Sequence, residues 1–113
     1  MRQAMAERVR RGAIAFAAVS ALWSPCSGGA PDADRQADLM RMLRHDCGSC
    51  HGLHLRGGLG PPLRPENLAS KEKAMLIATV LGGRPGTPMP PWDSFLTRDE
   101  ARWLVHYLKD GAR

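Results

Sequence analysis

Aromatic residues are scarce in this chain: two Phe, three Trp and one Tyr make up 5% of 113 residues. No apolar run approaches the roughly 20 residues that a spanning helix needs, which excludes an integral membrane protein. No stretch carries a credible strand pattern, and neither an internal repeat nor a low-complexity tract appears. The length admits one small domain, so a multidomain enzyme and any large sandwich or barrel are excluded. What the chain has in quantity is turn chemistry, with twelve Gly and nine Pro. Its 24% charged and 43% hydrophobic content is ordinary for a globular protein and argues against wholesale disorder.

The first thirty residues read as an export signal rather than as fold. Arg2, Arg8, Arg10 and Arg11 stand against a single Glu7, and residues 12–23 then carry no charge at all. A basic start, a short stretch apolar on every side and the small-residue region 24–30 fit a leader better than an amphipathic helix. Cleavage is expected between Cys26 and Ala30, which leaves a domain over residues 31–113 in the periplasm. Trp23-Ser24-Pro25 is a poor lead-in for lipidation of Cys26, so that cysteine is expected to leave with the leader. A membrane tether follows only if Cys26 is lipidated. Without residues 1–30, twelve basic and ten acidic residues remain, and the net charge falls from +5 to +2. No basic stripe with interleaved aromatics is left, so nucleic acid is not an expected partner. Four aromatics, Trp92, Phe95, Trp103 and Tyr107, make a thin core for 83 residues. Such a domain needs a staple, whether disulfides, a metal or a large cofactor.

Three helices are readable, and the fold class is all-α with long Gly/Pro loops. The first spans about Asp34 to Cys47, capped by Asp32 or Asp34, with Met40, Leu43 and Cys47 on one face and Leu39 beside them. The second follows Ser70 as N-cap and carries Ala74 to Leu81, apolar on more than one face and so expected to be well buried. Gly82-Gly83 and Pro85 end it. The third starts at the capping-box pattern Thr97-x-x-Glu100, with Ala101, Leu104, Val105 and Leu108 at helical spacing and Trp103 and Tyr107 widening the stripe.

Cys47-Gly48-Ser49-Cys50-His51 carries the chemistry. On a helical turn the two cysteines are i and i+3 and the histidine is i+4, so all three side chains lie to one side. This is the C-x-x-C-H signature of covalent c-type haem, with Cys47 and Cys50 as thioethers and His51 as an iron ligand. Three other readings are weaker. A thioredoxin-like pair needs a βαβ context. A zinc site usually needs a second ligand pair, which neither His54 nor His106 provides. A Cys47–Cys50 disulfide leaves His51 unexplained.

A second axial ligand is expected at Met89. Met40 and Met42 lie too near the attachment site in sequence to reach round the haem, and Met75 sits in an apolar helix where methionine usually packs a core. His54 and His106 are weaker candidates, the first close to His51 and the second on the terminal helix. Met89 lies between Pro88 and Pro90 in an extended, stiff segment. A methionine filling a gap beneath a proline loop is the competing reading. Between the two ligands, residues 57–63 (GGLGPPL) give backbone that can run close to a porphyrin edge, and the chain after His51 is placed to supply its second-nitrogen partner.

With these motifs in place, residues 31–113 resemble the small bacterial class I c-type cytochromes. The runs 46–52 (DCGSCHG), 57–63 (GGLGPPL) and 84–92 (RPGTPMPPW) are more specifically similar to the branch of that family encoded with the nitrite reductase carrying haems c and d1. The resemblance implies one haem c per chain, axial ligation by His51 and Met89, and a Pro61 carbonyl that orients His51. It also implies that Trp103 or Tyr107 packs where the first and last helices cross. Trp92 and Arg84 flank Met89 and are candidates for the haem propionate side, with burial of the indole in the core an equal alternative for Trp92. His54 matches no signature of the family and receives no role.

The implied function is single-electron transfer without substrate turnover of its own, by a monomer whose partner is haem cd1 nitrite reductase or the enzymes that mature its haem d1. A gas-binding haem sensor and a haem subunit of a larger oxidoreductase complex are the alternatives from other classes. Lys71, Lys73, Arg84 and Arg64 form a candidate basic docking patch, against the plainer reading of a solvated face.

Overall fold

The computed structural model describes residues 28–111, so Cys26 and residues 1–27 of the expected leader lie outside the described residues. Helix α1 covers Ala33–Met42, a π-helical turn follows at Leu43–Cys47, and α2 is Gly48–His51. Then come the short α3 (Pro65–Leu68), α4 (Lys73–Gly82) and α5 (Arg98–Asp110). The described residues contain no strand, and none of their helices is long and apolar enough to cross a membrane.

The Asp32 carboxylate caps α1 by accepting the Arg35 N–H at 2.9 Å. Helical backbone then runs without a break through the π turn to His51 and stops at Gly52, whose φ is 91°. The first helix is therefore longer than its apolar pattern suggested, and Cys47 to His51 are part of it. Its burial pattern also shifts. Leu39 and Leu43 are the buried pair, and Met40 is only half-buried at their edge.

Ser70 does not cap the middle helix. The turn begun by α3 is still closing there, with the Lys71 N–H donating to the Leu68 carbonyl at 3.0 Å. Glu72 becomes the N-cap, and its carbonyl receives the Leu76 N–H at 3.1 Å. Nor is α4 buried on most sides. Only Ile77 is buried, because α4 meets α5 along one face, where Ile77 packs with Ala101 and Val105. Met75 lies half a turn away from Ile77 and is 47% exposed, so it does not fill the core.

Helix α5 is the element that the others share. Thr97 Oγ1 accepts the Glu100 N–H at 3.2 Å and Glu100 Oε2 accepts the Thr97 N–H at 2.8 Å, completing the capping box. Leu104 joins Leu39, Leu43 and Leu96 in the main core cluster, while the Ile77–Ala101–Val105 cluster ties α5 to α4. Trp103 and Tyr107 stack at 5.8 Å and pack on the Leu39–Leu43–Leu104 cluster where α1 meets α5. Arg35 closes that corner, its Nε donating to Glu100 at 2.5 Å and its terminal nitrogen to the Phe95 carbonyl at 3.1 Å.

Candidate functional site

The π turn sets the phase of the Cys47–His51 segment. In such a turn residue i+5, rather than i+4, comes over residue i. Accordingly the Gly48 N–H donates to the Leu43 carbonyl, and Gly48 is buried above the core leucine. Cys47 and Cys50 are then left half-buried with free thiols, and His51 is 9% exposed. Burial first, and the Asp46 carboxylate second, push the Cys47 thiol up to about 11. A redox C-x-x-C pair needs the opposite, a thiol depressed towards neutrality. Among the described residues no group of three or more His, Cys, Asp or Glu side chains converges to hold a metal ion.

After Gly52 the chain folds back on this turn. The Gly57 N–H donates to the His51 carbonyl at 2.8 Å and the Gly60 N–H to the Cys50 carbonyl at 2.9 Å. This closure carries the Pro61 carbonyl to 2.7 Å from His51 Nδ1. A carbonyl only accepts, so Nδ1 bears the proton and Nε2 keeps its lone pair. Gly60 presses on the same ring. A Cβ there would stand 2.7 Å from both Cε1 and Nδ1 of His51. The imidazole is thus held by a hydrogen bond and by a wall of backbone. Nothing in the residue types alone marked Gly60 for this task, beyond its place beside Pro61.

Met89 is half-buried in a loop anchored at both ends to the close of α4. The Arg84 N–H donates to the Met89 carbonyl at 3.1 Å, and the Trp92 N–H reaches the Val80 and Leu81 carbonyls at 3.2 and 3.1 Å. Inside the loop the Thr87 hydroxyl donates to the Arg84 carbonyl at 2.7 Å, and its oxygen lies 3.4 Å from the Met89 nitrogen. No hydrogen bond among the described residues joins this loop to the His51 turn. The two meet through packing, since Cys47, Val80, Leu81 and Trp92 all lie against the Leu39–Leu43–Leu96–Leu104 cluster. Trp92 is half-buried there and tilts against Phe95 at 5.9 Å, while Arg84 is exposed. Arg64 pairs with Glu66 at 2.9 Å, which ties up one charge of the candidate basic patch.

The donor set fits a covalently held haem. Two thiols lie three residues apart on a helical turn, followed by an imidazole whose tautomer leaves Nε2 free as a donor.

Comparison with known proteins agrees. Residues 32–108 match the family described as "Cytochrome C oxidase, cbb3-type, subunit III". The chain is 60% identical over 81 residues to cytochrome c55X of Pseudomonas aeruginosa, covering 72% of this chain and 68% of that protein. It is 50% identical over 80 residues to cytochrome c55X of Paracoccus denitrificans, covering 71% and 78% of the two chains. Among solved structures, the c-type cytochrome NirC superposes with a TM-score of 0.72 at 60% identity, over 73% of this chain and 96% of that one. A solved structure titled "Dihydro-heme d1 dehydrogenase NirN in complex with DHE" superposes with a TM-score of 0.59 at 36% identity, over 66% of this chain but 16% of the enzyme. By its sequence match over residues 32–108 and its likeness to the cytochromes c55X, the chain belongs to the c-type cytochrome family described as cytochrome c oxidase, cbb3-type, subunit III.

Proposed function

We propose that this chain holds one haem c through Cys47 and Cys50 and carries single electrons in the periplasm, to or around haem cd1 nitrite reductase. The observation that carries this reading is the fixed imidazole of His51, hydrogen-bonded through Nδ1 to Pro61 and backed by Gly60. When bound, haem supplies a reversible one-electron couple. The chain's residues determine what that couple is used for. With haem bound, His51 Nε2 and the Met89 thioether would be the two iron ligands supplied by this chain, and together they would leave no coordination position for a substrate. A thioether donor favours ferrous iron and raises the potential, and the apolar side chains around Cys47 and Trp92 disfavour extra charge. On this reading the protein is a carrier with no turnover of its own.

Two partners fit, and a specific observation favours each. The likeness to NirC and the cytochromes c55X points to the nitrite reductase system. The match to 14% of the length of dihydro-heme d1 dehydrogenase points to the enzymes that complete haem d1. A dehydrogenation releases two electrons, so two molecules of a one-electron carrier would be reduced per turnover.

Anaerobic rapid mixing tests both. Reduced haem-loaded protein should pass electrons to oxidised haem cd1 nitrite reductase, or oxidised protein should be reduced by the dehydrogenase supplied with its dihydro substrate. Failure to exchange with either, in protein that small mediators reduce and oxidise freely, would contradict the proposal.

A further inference from the structure

Gly83 occupies a backbone conformation, φ 68° and ψ −169°, that is open almost only to glycine. The space where its side chain would stand is already filled. A Cβ at Gly83 would lie 2.7 Å from Pro90 C and Pro91 N and 2.8 Å from the Met89 carbonyl oxygen. Two independent constraints therefore fall on one residue, and both concern the backbone that carries Met89. The adjacent Gly82, the last residue of α4, has nothing within 4 Å of the same construction. Across the loop, Thr87 does the complementary work. Its hydroxyl donates to the Arg84 carbonyl, and its oxygen faces the Met89 N–H. Five of the seven residues between Gly83 and Pro91 are Pro, Gly or Thr, and only the Met89 side chain offers a soft donor.

We propose that Gly83 and Thr87 are positioning residues for Met89: Gly83 lets the Met89–Pro91 backbone close against the end of α4, and Thr87 braces the loop from inside. The inference rests on the reading of Met89 as an axial ligand. A side chain at position 83 displaces the Met89–Pro90 peptide, and the thioether moves with it. Loss of the Thr87 hydroxyl removes the brace on the Met89 N–H and leaves the Arg84 carbonyl held only by the Thr87 N–H at 3.0 Å, so the loop releases its ligand at a lower hydroxide concentration.

The test uses haem-loaded Gly83→Ala, Gly82→Ala, Thr87→Val and Thr87→Ser. The readout is the weak far-red sulfur-to-iron absorption of the ferric protein, followed as pH is raised, with helical circular dichroism recorded alongside. Wild type and Gly82→Ala should show the band and lose it together. Gly83→Ala should lack the band or lose it at much lower pH while remaining helical. Thr87→Val should need about fivefold less hydroxide than wild type, the effect of one hydrogen bond, and Thr87→Ser should restore the wild-type midpoint. A helical Gly83→Ala that titrates like Gly82→Ala overturns the proposal. So does an unshifted Thr87→Val, which decides the matter if Gly83→Ala fails to fold. Absence of the band from wild type overturns both this inference and the ligand reading beneath it, whereas a normal wild type with unaffected variants overturns this inference alone.

Discussion

At the scale of single residues, the site is organised around where one proton sits. The Pro61 carbonyl forces it onto His51 Nδ1, and Gly60 stops the ring from turning away. Local spacing made part of this legible. C-x-x-C-H places three side chains on one turn by helix geometry alone, and the prolines flanking Met89 mark it as different from Met40, Met42 and Met75. The roles of Gly60 and Gly83 were hidden, because each is a distance to residues six to nine positions away that only the folded loops bring close. Met75 misled for the same reason: its neighbours in sequence are apolar, yet the helix turns it outwards. Gly60→Ala should lose about 1–3 kcal/mol of stability to overpacking against the imidazole, read as a lower denaturant midpoint with unchanged slope. A midpoint equal to that of wild type would show that the loop yields freely and that Gly60 does not hold the ring.

At the scale of elements, capping signals predicted helix starts where the cap was next to the helix. Asp32 and Thr97 with Glu100 met that condition. Ser70 did not, because the α3 turn, which no periodicity announced, runs up to Lys71 and delays α4. The π turn at Leu43–Cys47 was equally silent, since the same residues would satisfy an ordinary α-helix. Glu100 joins the elements, accepting from Arg35 of α1 while capping α5. The hydrogen bond from Arg35 holds the Glu100 carboxyl below its ordinary value of 4.5, more than burial raises it. A carboxylate depressed in the folded state contributes stability that is present above that ordinary value and is lost as pH falls through the lower folded one. Glu100→Gln keeps the capping geometry but not the charge. It should be less stable than wild type near neutral pH, and the gap should close on acidification below about 4. Parallel stability curves down to strongly acid pH would show that the pair contributes nothing through its charge.

For the molecule as a whole, the governing fact is how little apolar core there is. Among the described residues eight hydrophobic side chains are buried, Leu39, Leu43, Leu68, Ile77, Leu96, Ala101, Leu104 and Val105, and α5 carries or touches most of them. So thin a core, with so few aromatics, calls for a covalent or cofactor staple. Cys47→Ala with Cys50→Ala, made as the full chain in a host that attaches haem, should therefore show little helical circular dichroism and no cooperative melt. A fully helical, cooperatively melting variant would mean that the polypeptide core suffices alone. A haem joined to the chain through both sulfurs underlies every role given to these residues, and intact mass spectrometry of the wild-type protein under denaturing conditions measures this directly. The predicted result is a single species heavier than the polypeptide by one haem, with the added mass mapping to the peptide that contains Cys47 and Cys50. Polypeptide of unmodified mass, from a host proven to attach haem to other C-x-x-C-H proteins, would contradict it.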